Sequence, residues 1–148
     1  MCCADEVVLQ EKTLMAEHNE LGALGEEEAL LYLMKEGYTL LDHNWTTGHL
    51  EIDIVAEWWG EIVFVEVKTR RNEDFALAVE AVTPHKKRNL IAAAHAYLAQ
   101  HGWLERPYRY DIITVIGQQP PFTVTHLPNA YTESEMYERR QKRDEFQV

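Results

Sequence analysis

The chain has 148 residues, enough for one compact domain with its own core, and its 46% hydrophobic and 26% charged residues are those of an ordinary globular protein. A formal net charge of −11 argues against a general nucleic-acid coat protein, because phosphate binding is driven by cationic side chains. No apolar run reaches the roughly 18 to 20 residues that cross a bilayer, and MCCADEVVLQEKTLMAEHNE lacks the basic start and apolar centre of a signal peptide, so a cytoplasmic protein with no membrane partner is expected.

Residues 1–16 read as a flexible leader. Its cysteines, Cys2 and Cys3, are sequence neighbours that rarely staple a fold and are too few for a four-ligand zinc site. A helical pattern follows over about 19 to 36, with Gly37 as its stop. Ala23, Glu26, Leu30 and Leu33 fall at spacings of three and four, which puts Glu26 on or beside an inward face. Strands are expected at 38–45, 49–57 and 61–70, and the short link around Trp58-Trp59-Gly60 makes the last two an antiparallel hairpin. Thr83 caps a helix with Pro84 at its first position, and that helix ends at Gly102. Further strands are expected at 108–116 and, at a sheet edge, 122–127. Thr132 with Glu135 is a capping-box pattern that opens a charged C-terminal helix or tail over 131–148. The order αβββαββα predicts an α/β fold, a mixed β-sheet flanked by helices, over residues 17–130.

The hairpin carries polar residues where strands this rich in Ile and Val are usually buried. Side chains two apart share a strand face, so Glu51 and Asp53 form one pair, and Phe64, Glu66 and Lys68 form one row. A turn near residue 59 sets Asp53 close to Glu66. Two carboxylates held together need a shared proton, a lysine or a divalent cation. Their oxygens suit Mg²⁺ or Mn²⁺, and a lysine beside such a cation can hold or deprotonate an attacking water. The chemistry suggested is metal-assisted phosphodiester hydrolysis. The plainer alternative is a Glu66–Lys68 pair at the solvent end of a strand, with Asp53 capping a turn.

Charge is unevenly spread. Six of the 14 Lys and Arg residues lie between Lys68 and Arg88, against three acids, so a polyanion could be received locally. An ordinary solvated loop and helix start would look the same. Trp58 and Trp59 could stack on bases or pack within the fold. Asp111, at the start of a strand, reads as a structural hydrogen-bonding residue.

Taken together, GEEEALLYLMKEGY (25–38), NW (44–45), EIDIVA (51–56), FVEVKTR (64–70), AVTPHKKRNL (81–90), AAAHAYL (92–98) and YDII (110–113) resemble the UPF0102 (YraN-like) family of the PD-(D/E)xK nuclease superfamily. The resemblance implies a restriction-endonuclease-like αβββαβ core, related to Holliday-junction resolvases, acting on DNA with Mg²⁺ or Mn²⁺. It places the catalytic residues at Asp53, Glu66 and Lys68. The metal ligands would be Asp53, Glu66, the Val67 carbonyl and Glu26. Arg70, Arg71, Lys86 and Lys87 would contact nucleic acid, and a homodimer would suit paired cuts. Two positions depart from the family pattern: Leu50 stands where it has Gly, and Thr46 where it commonly has Arg. A non-catalytic nucleic-acid-binding or protein-interaction module that retains the fold is the rival expectation.

Overall fold

The computed structural model describes residues 3–72 and 74–145. Helix α1 (Cys3–Lys35) leads into strands β1 (Thr39–Thr47), β2 (Leu50–Trp58) and β3 (Glu61–Arg70). Helices α2 (Phe75–Glu80) and α3 (Pro84–His101) then cross to β4 (Tyr108–Ile116), followed by β5 (Thr123–Tyr131) and α4 (Glu133–Glu145). The five strands lie in chain order in one sheet, β3 and β4 parallel and the other pairs antiparallel. This is a mixed α/β sheet between helical layers, of the restriction-endonuclease type. Among the described residues, no helix is long and apolar enough to cross a membrane.

The β2–β3 hairpin turns on Trp59 and Gly60, both at positive φ (50° and 82°), the backbone of a type I′ turn that matches strand twist. Trp58 leaves the turn to stack on Tyr38 with ring centroids 4.4 Å apart, while Trp59 is exposed. The α1 side of the sheet buries Ala29, Leu33, Ile54, Ala56, Val63, Val65, Val67, Ile113 and Val115. On the α3 side the buried set centres on Ile52, Val55, Phe64, Leu90, Ala94, Tyr97 and Ile112. Ile52 and Val55, three apart, face the same layer, so the two-residue alternation of β2 is interrupted at Asp53.

Helix α3 forms as its caps dictate. Thr83 Oγ1 accepts the Lys86 N–H at 3.3 Å, Pro84 occupies the first turn, and Gly102 closes the helix in the left-handed region. Two helices differ from expectation. Helix α1 starts at Cys3, not near residue 19, so residues 3–16 of the expected flexible leader are helical, and Cys2 lies outside the described residues. Helix-favouring Glu, Leu, Lys, Ala and Met run there without Gly or Pro before Gly22. The buried row of α1 is Leu21, Gly25, Ala29 and Leu33, whereas Ala23 is exposed and Glu26 and Leu30 are half-buried. Helix α2 was not anticipated, although Asp74 caps it by accepting the Leu77 N–H at 2.9 Å.

Two polar networks tie the C-terminal half together. Asp111 is fully buried; it accepts from Arg109 Nε (3.0 Å) and the Asn129 N–H (2.9 Å), with His126 Nε2 at 2.6 Å. Burial alone would raise its carboxyl, but these donors hold it below the usual range. Asp111 is thus the structural residue expected. Glu133 Oε1 accepts from Tyr110 OH (2.7 Å) and Tyr108 OH (3.0 Å), with His95 Nε2 at 2.6 Å. With Met136 buried, this latch docks the start of α4 against α3 and the sheet.

The contact of α1 with β3 depends on Gly25. A Cβ there would lie 1.9 Å from Thr69 Oγ1, 2.7 Å from its Cγ2 and 2.9 Å from its Cβ. In an open helix Gly→Ala stabilises by about 1 kcal/mol. Here Gly25→Ala should instead destabilise by roughly 1–3 kcal/mol through overpacking. Adding Thr69→Ala removes two of the three crowding atoms and should recover part of the loss in thermal melts. A stabilising Gly25→Ala would contradict the close approach.

Candidate metal and nuclease site

The site begins where the sheet opens. The β2–β3 ladder runs from Trp58↔Glu61 to Ile54↔Val65 and stops, whereas β3 stays paired to β4 as far as Arg70↔Ile116. Strand β2 continues instead with β1 to Thr47↔Leu50. Past Ile54 and Val65 the main-chain groups of β3 that face β2 have lost their partner strand. Asp53 Oδ2 takes over one of them, accepting the Val67 N–H at 2.9 Å. Because the N–H and C=O of a strand residue point to the same edge, the Val67 carbonyl is directed into the same opening.

This anchoring brings Asp53 against Glu66, and the two carboxyls stand within hydrogen-bonding reach. Burial, then the charge of Glu66, pushes the Asp53 carboxyl up to about 8; the Val67 N–H opposes the rise, and Glu26 and Glu51 add to it. Burial also raises Glu66, against the charges of Lys86 and Lys68. Without a cation the pair therefore retains a proton near neutral pH. Asp53 and Glu66 line a cleft of about 250 Å³ with His49, Leu50, Glu51, Lys86, Asn89 and Leu90.

Lys68 lies two residues beyond Glu66 and is half-buried. Desolvation, followed by the neighbouring charges of Lys86 and Arg70, brings its ammonium down to about 8. It lines a second cleft of about 210 Å³ with Glu26, Leu21, Gly22 and the β3 end from Val67 to Arg70. Glu26 belongs to the α1 layer and acts on Asp53 through its charge. Among the described residues, no three His, Cys, Asp or Glu side chains are gathered in a metal-holding group. The structure thus joins Asp53 with Glu66, sets the Val67 main chain beside them, and leaves Glu26 in the neighbouring cleft.

The basic residues divide. Lys86 faces Glu66 and Lys68. Lys87, one residue on, turns away and lies over the Tyr131 ring, 5.1 Å from its centroid. Arg71 pairs with Glu17 at 3.3 Å, and Arg70 donates to the Thr69 carbonyl at 2.9 Å. Sequence reasoning assigned Lys86 to a phosphate contact alone and did not foresee its place beside the carboxylates. Asn89 was missed, although its spacing of three from Lys86 puts both on one flank of α3. The Tyr131 hydroxyl is buried with no hydrogen-bond partner among the described residues; burial and then the Glu66 charge keep it protonated.

A family model described as "Uncharacterised protein family UPF0102" matches residues 25–115. The UPF0102 protein of Phocaeicola vulgatus is 47% identical over 117 residues, covering 79% of this chain and 96% of the relative. A UPF0102 protein of Bacteroides fragilis shows the same identity and coverage. That of Flavobacterium psychrophilum is 39% identical over 117 residues, covering 79% and 98%. The matched residues include β2, β3 and α3, and with them Glu26, Asp53, Glu66, Lys68 and Lys86.

The carboxylate pair makes a pH-dependent prediction. The extra proton that folding confers on Asp53 stabilises the metal-free chain below about pH 4, and this contribution is lost as pH rises through about 8. Asp53→Asn can still accept the Val67 N–H but cannot ionise. In chelator its melting temperature should gain on that of the parent between about pH 4 and 8, then hold level. A difference that does not change with pH would make Asp53 an ordinary solvated carboxylate.

Proposed function

The chain belongs to the UPF0102 family, and from that premise we propose that it is a divalent-metal-dependent nuclease that hydrolyses phosphodiester bonds in DNA. The observation that carries this reading is the Asp53–Glu66 pair, held in the opening between β2 and β3 beside Lys68.

The residues fit a hard cation. Two crowded carboxyls raised by burial, Asp53 also by the charge of Glu66, gain most from a cation in place of the proton. Mg²⁺ is commonly held by one or two carboxylates and keeps several waters, so a third side-chain carboxylate in direct contact is not required. Asp53, Glu66 and the Val67 carbonyl would hold Mg²⁺ or Mn²⁺, with Glu26 acting through water. When bound, the cation would screen phosphate charge and ease deprotonation of water.

The chain's own groups supply the rest. With its ammonium brought down to about 8 by desolvation and Lys86, Lys68 Nζ can take a proton from water or return one to a leaving oxygen. Lys86 holds Lys68 toward its neutral form and offers a positive charge to the phosphate. Asn89 adds an uncharged amide to the same cleft. The second reading is a non-catalytic DNA-binding module that keeps the fold; the observation favouring it is that, among the described residues, no three His, Cys, Asp or Glu side chains form a metal-holding group.

A cleavage screen over duplex, flap and four-way DNA with Mg²⁺ and Mn²⁺ tests the proposal. The parent should cut at least one substrate in a metal-dependent way. Lys68→Ala should abolish cutting while Mn²⁺ affinity stays within a few-fold, because a charged lysine has no lone pair to offer a metal. Lys86→Ala should shift the rising limb of the pH–rate profile upward, since Lys68 loses a neighbour that lowers its pKa. No cutting of any substrate by the parent, or full cutting by Lys68→Ala, would remove the nuclease assignment.

A further inference from the structure

A second feature of the molecule lies across α3 from the carboxylates. Between the first turns of α3 and the outer turns of α4 runs a cleft of about 580 Å³ lined by Pro84, Arg88, Arg139, Arg140, Arg143 and Asp144. Four guanidinium groups thus face one carboxylate in a chain whose formal net charge is −11. Among the described residues, none of the four arginines has a hydrogen-bond or ion-pair partner. Acids are abundant in this chain, so arginines that converge without taking one are available to an external anion. A planar guanidinium presents paired donors that match phosphate oxygens.

The cleft is built on a fixed frame. The Glu133 latch and buried Met136 dock the first turn of α4, and the arginines follow on its next turns. Lys87 borders the arginines. Its Nζ lies over Tyr131, and, after desolvation, the charge of Arg139 is what lowers its ammonium. Lys86 faces Glu66 on one flank of α3, while Pro84 and Arg88, four apart, share the other. The two flanks are about one helix diameter apart, roughly 10–12 Å. A sugar-phosphate backbone, with a charge about every 3.4 Å of duplex axis on each strand, can reach both at once.

We propose that the α3–α4 arginine cleft is a second DNA-backbone site, gripping phosphates on the far flank of α3 from the Asp53–Glu66 centre. The identity of the polyanion as DNA rests on the nuclease reading. The cleft takes phosphates and reads no bases, because its lining offers guanidinium charge on a helix surface and no strand or helix shaped into a groove.

Binding and cutting are measured separately. Anisotropy of a labelled duplex is followed in chelator from about 50 to 200 mM salt for the parent and the triple variant Arg139→Ala/Arg140→Ala/Arg143→Ala. Each lost phosphate contact should flatten the slope of log K against log salt by about 0.9, so the triple variant should lose about two to three units and bind roughly tenfold or more weakly. These arginines are exposed, so its melting temperature should match the parent's. The corresponding triple lysine variant should retain most of the slope, which separates charge from fold.

An unchanged slope and affinity in the triple alanine variant would overturn the inference, whatever the parent cuts. So would absence of duplex binding by the parent, or displacement of DNA by polyglutamate at equal charge, which would assign the cleft to an acidic protein. Loss of binding in the triple variant, together with a parent that cuts no DNA, would leave the cleft standing and remove the nuclease reading.

Discussion

The parting of β2 from β3 is the constraint on which the site depends. A strand that loses its neighbour halfway must satisfy the main-chain groups left behind, and an unpaired buried amide costs on the order of 1–3 kcal/mol. Here a side chain takes the place of the missing strand: Asp53 accepts the Val67 N–H. That bond fixes the carboxylate beside Glu66 and directs it into the opening. The same act that repairs the ladder therefore places like charges together, and burial prevents water from screening them. Lysines that gather beside a desolvated carboxylate, as Lys68 and Lys86 do, answer that charge, and Lys86 in turn lowers the proton affinity of Lys68.

Both faces of the sheet serve this arrangement. On one, the absence of a side chain at Gly25 lets α1 come down onto Thr69, which carries Glu26 to the end of β3. On the other, the Thr83 cap and Pro84 start α3 where Lys86 meets Glu66. The networks of buried Asp111 and half-buried Glu133 hold β4, β5 and α4 by hydrogen bonds. Removing one partner from such a network is costly because it strands the other in a dry interior. These carboxyls are stabilised in their charged form, and their surroundings differ in that respect from the carboxylate pair in the opening.

Much of this was legible in the sequence because strands carry a short period. The hairpin, the row of Phe64, Glu66 and Lys68, and the caps of α3 each rest on local rules involving a few residues. The interruption of alternation at Asp53 was not legible, since it arises from divergence of one strand toward another partner. The inward row of α1 was misjudged for a related reason: a glycine counts as apolar contact only when the opposing chain comes close enough to exclude a side chain, and Thr69 lies 44 residues away. Lys86 and Lys87 are adjacent letters with opposite surroundings, separated by the 100° step of a helix. The start of α1 was read as a flexible leader, and α4, from its like-signed charges, as a solvated helix or tail. The three donors that converge on Glu133 come from β4 and α3, distant in sequence.

The proposed chemistry requires the Asp53–Glu66 pair to exchange its proton for a divalent cation. Calorimetric titration of the parent with Mn²⁺, in two buffers of different ionisation enthalpy, counts the protons released on binding. Saturable binding is expected, with proton release near pH 7 that diminishes toward pH 9, since the carboxyl is raised to about 8 in the metal-free chain. Absence of saturable Mn²⁺ binding at either pH would contradict that exchange.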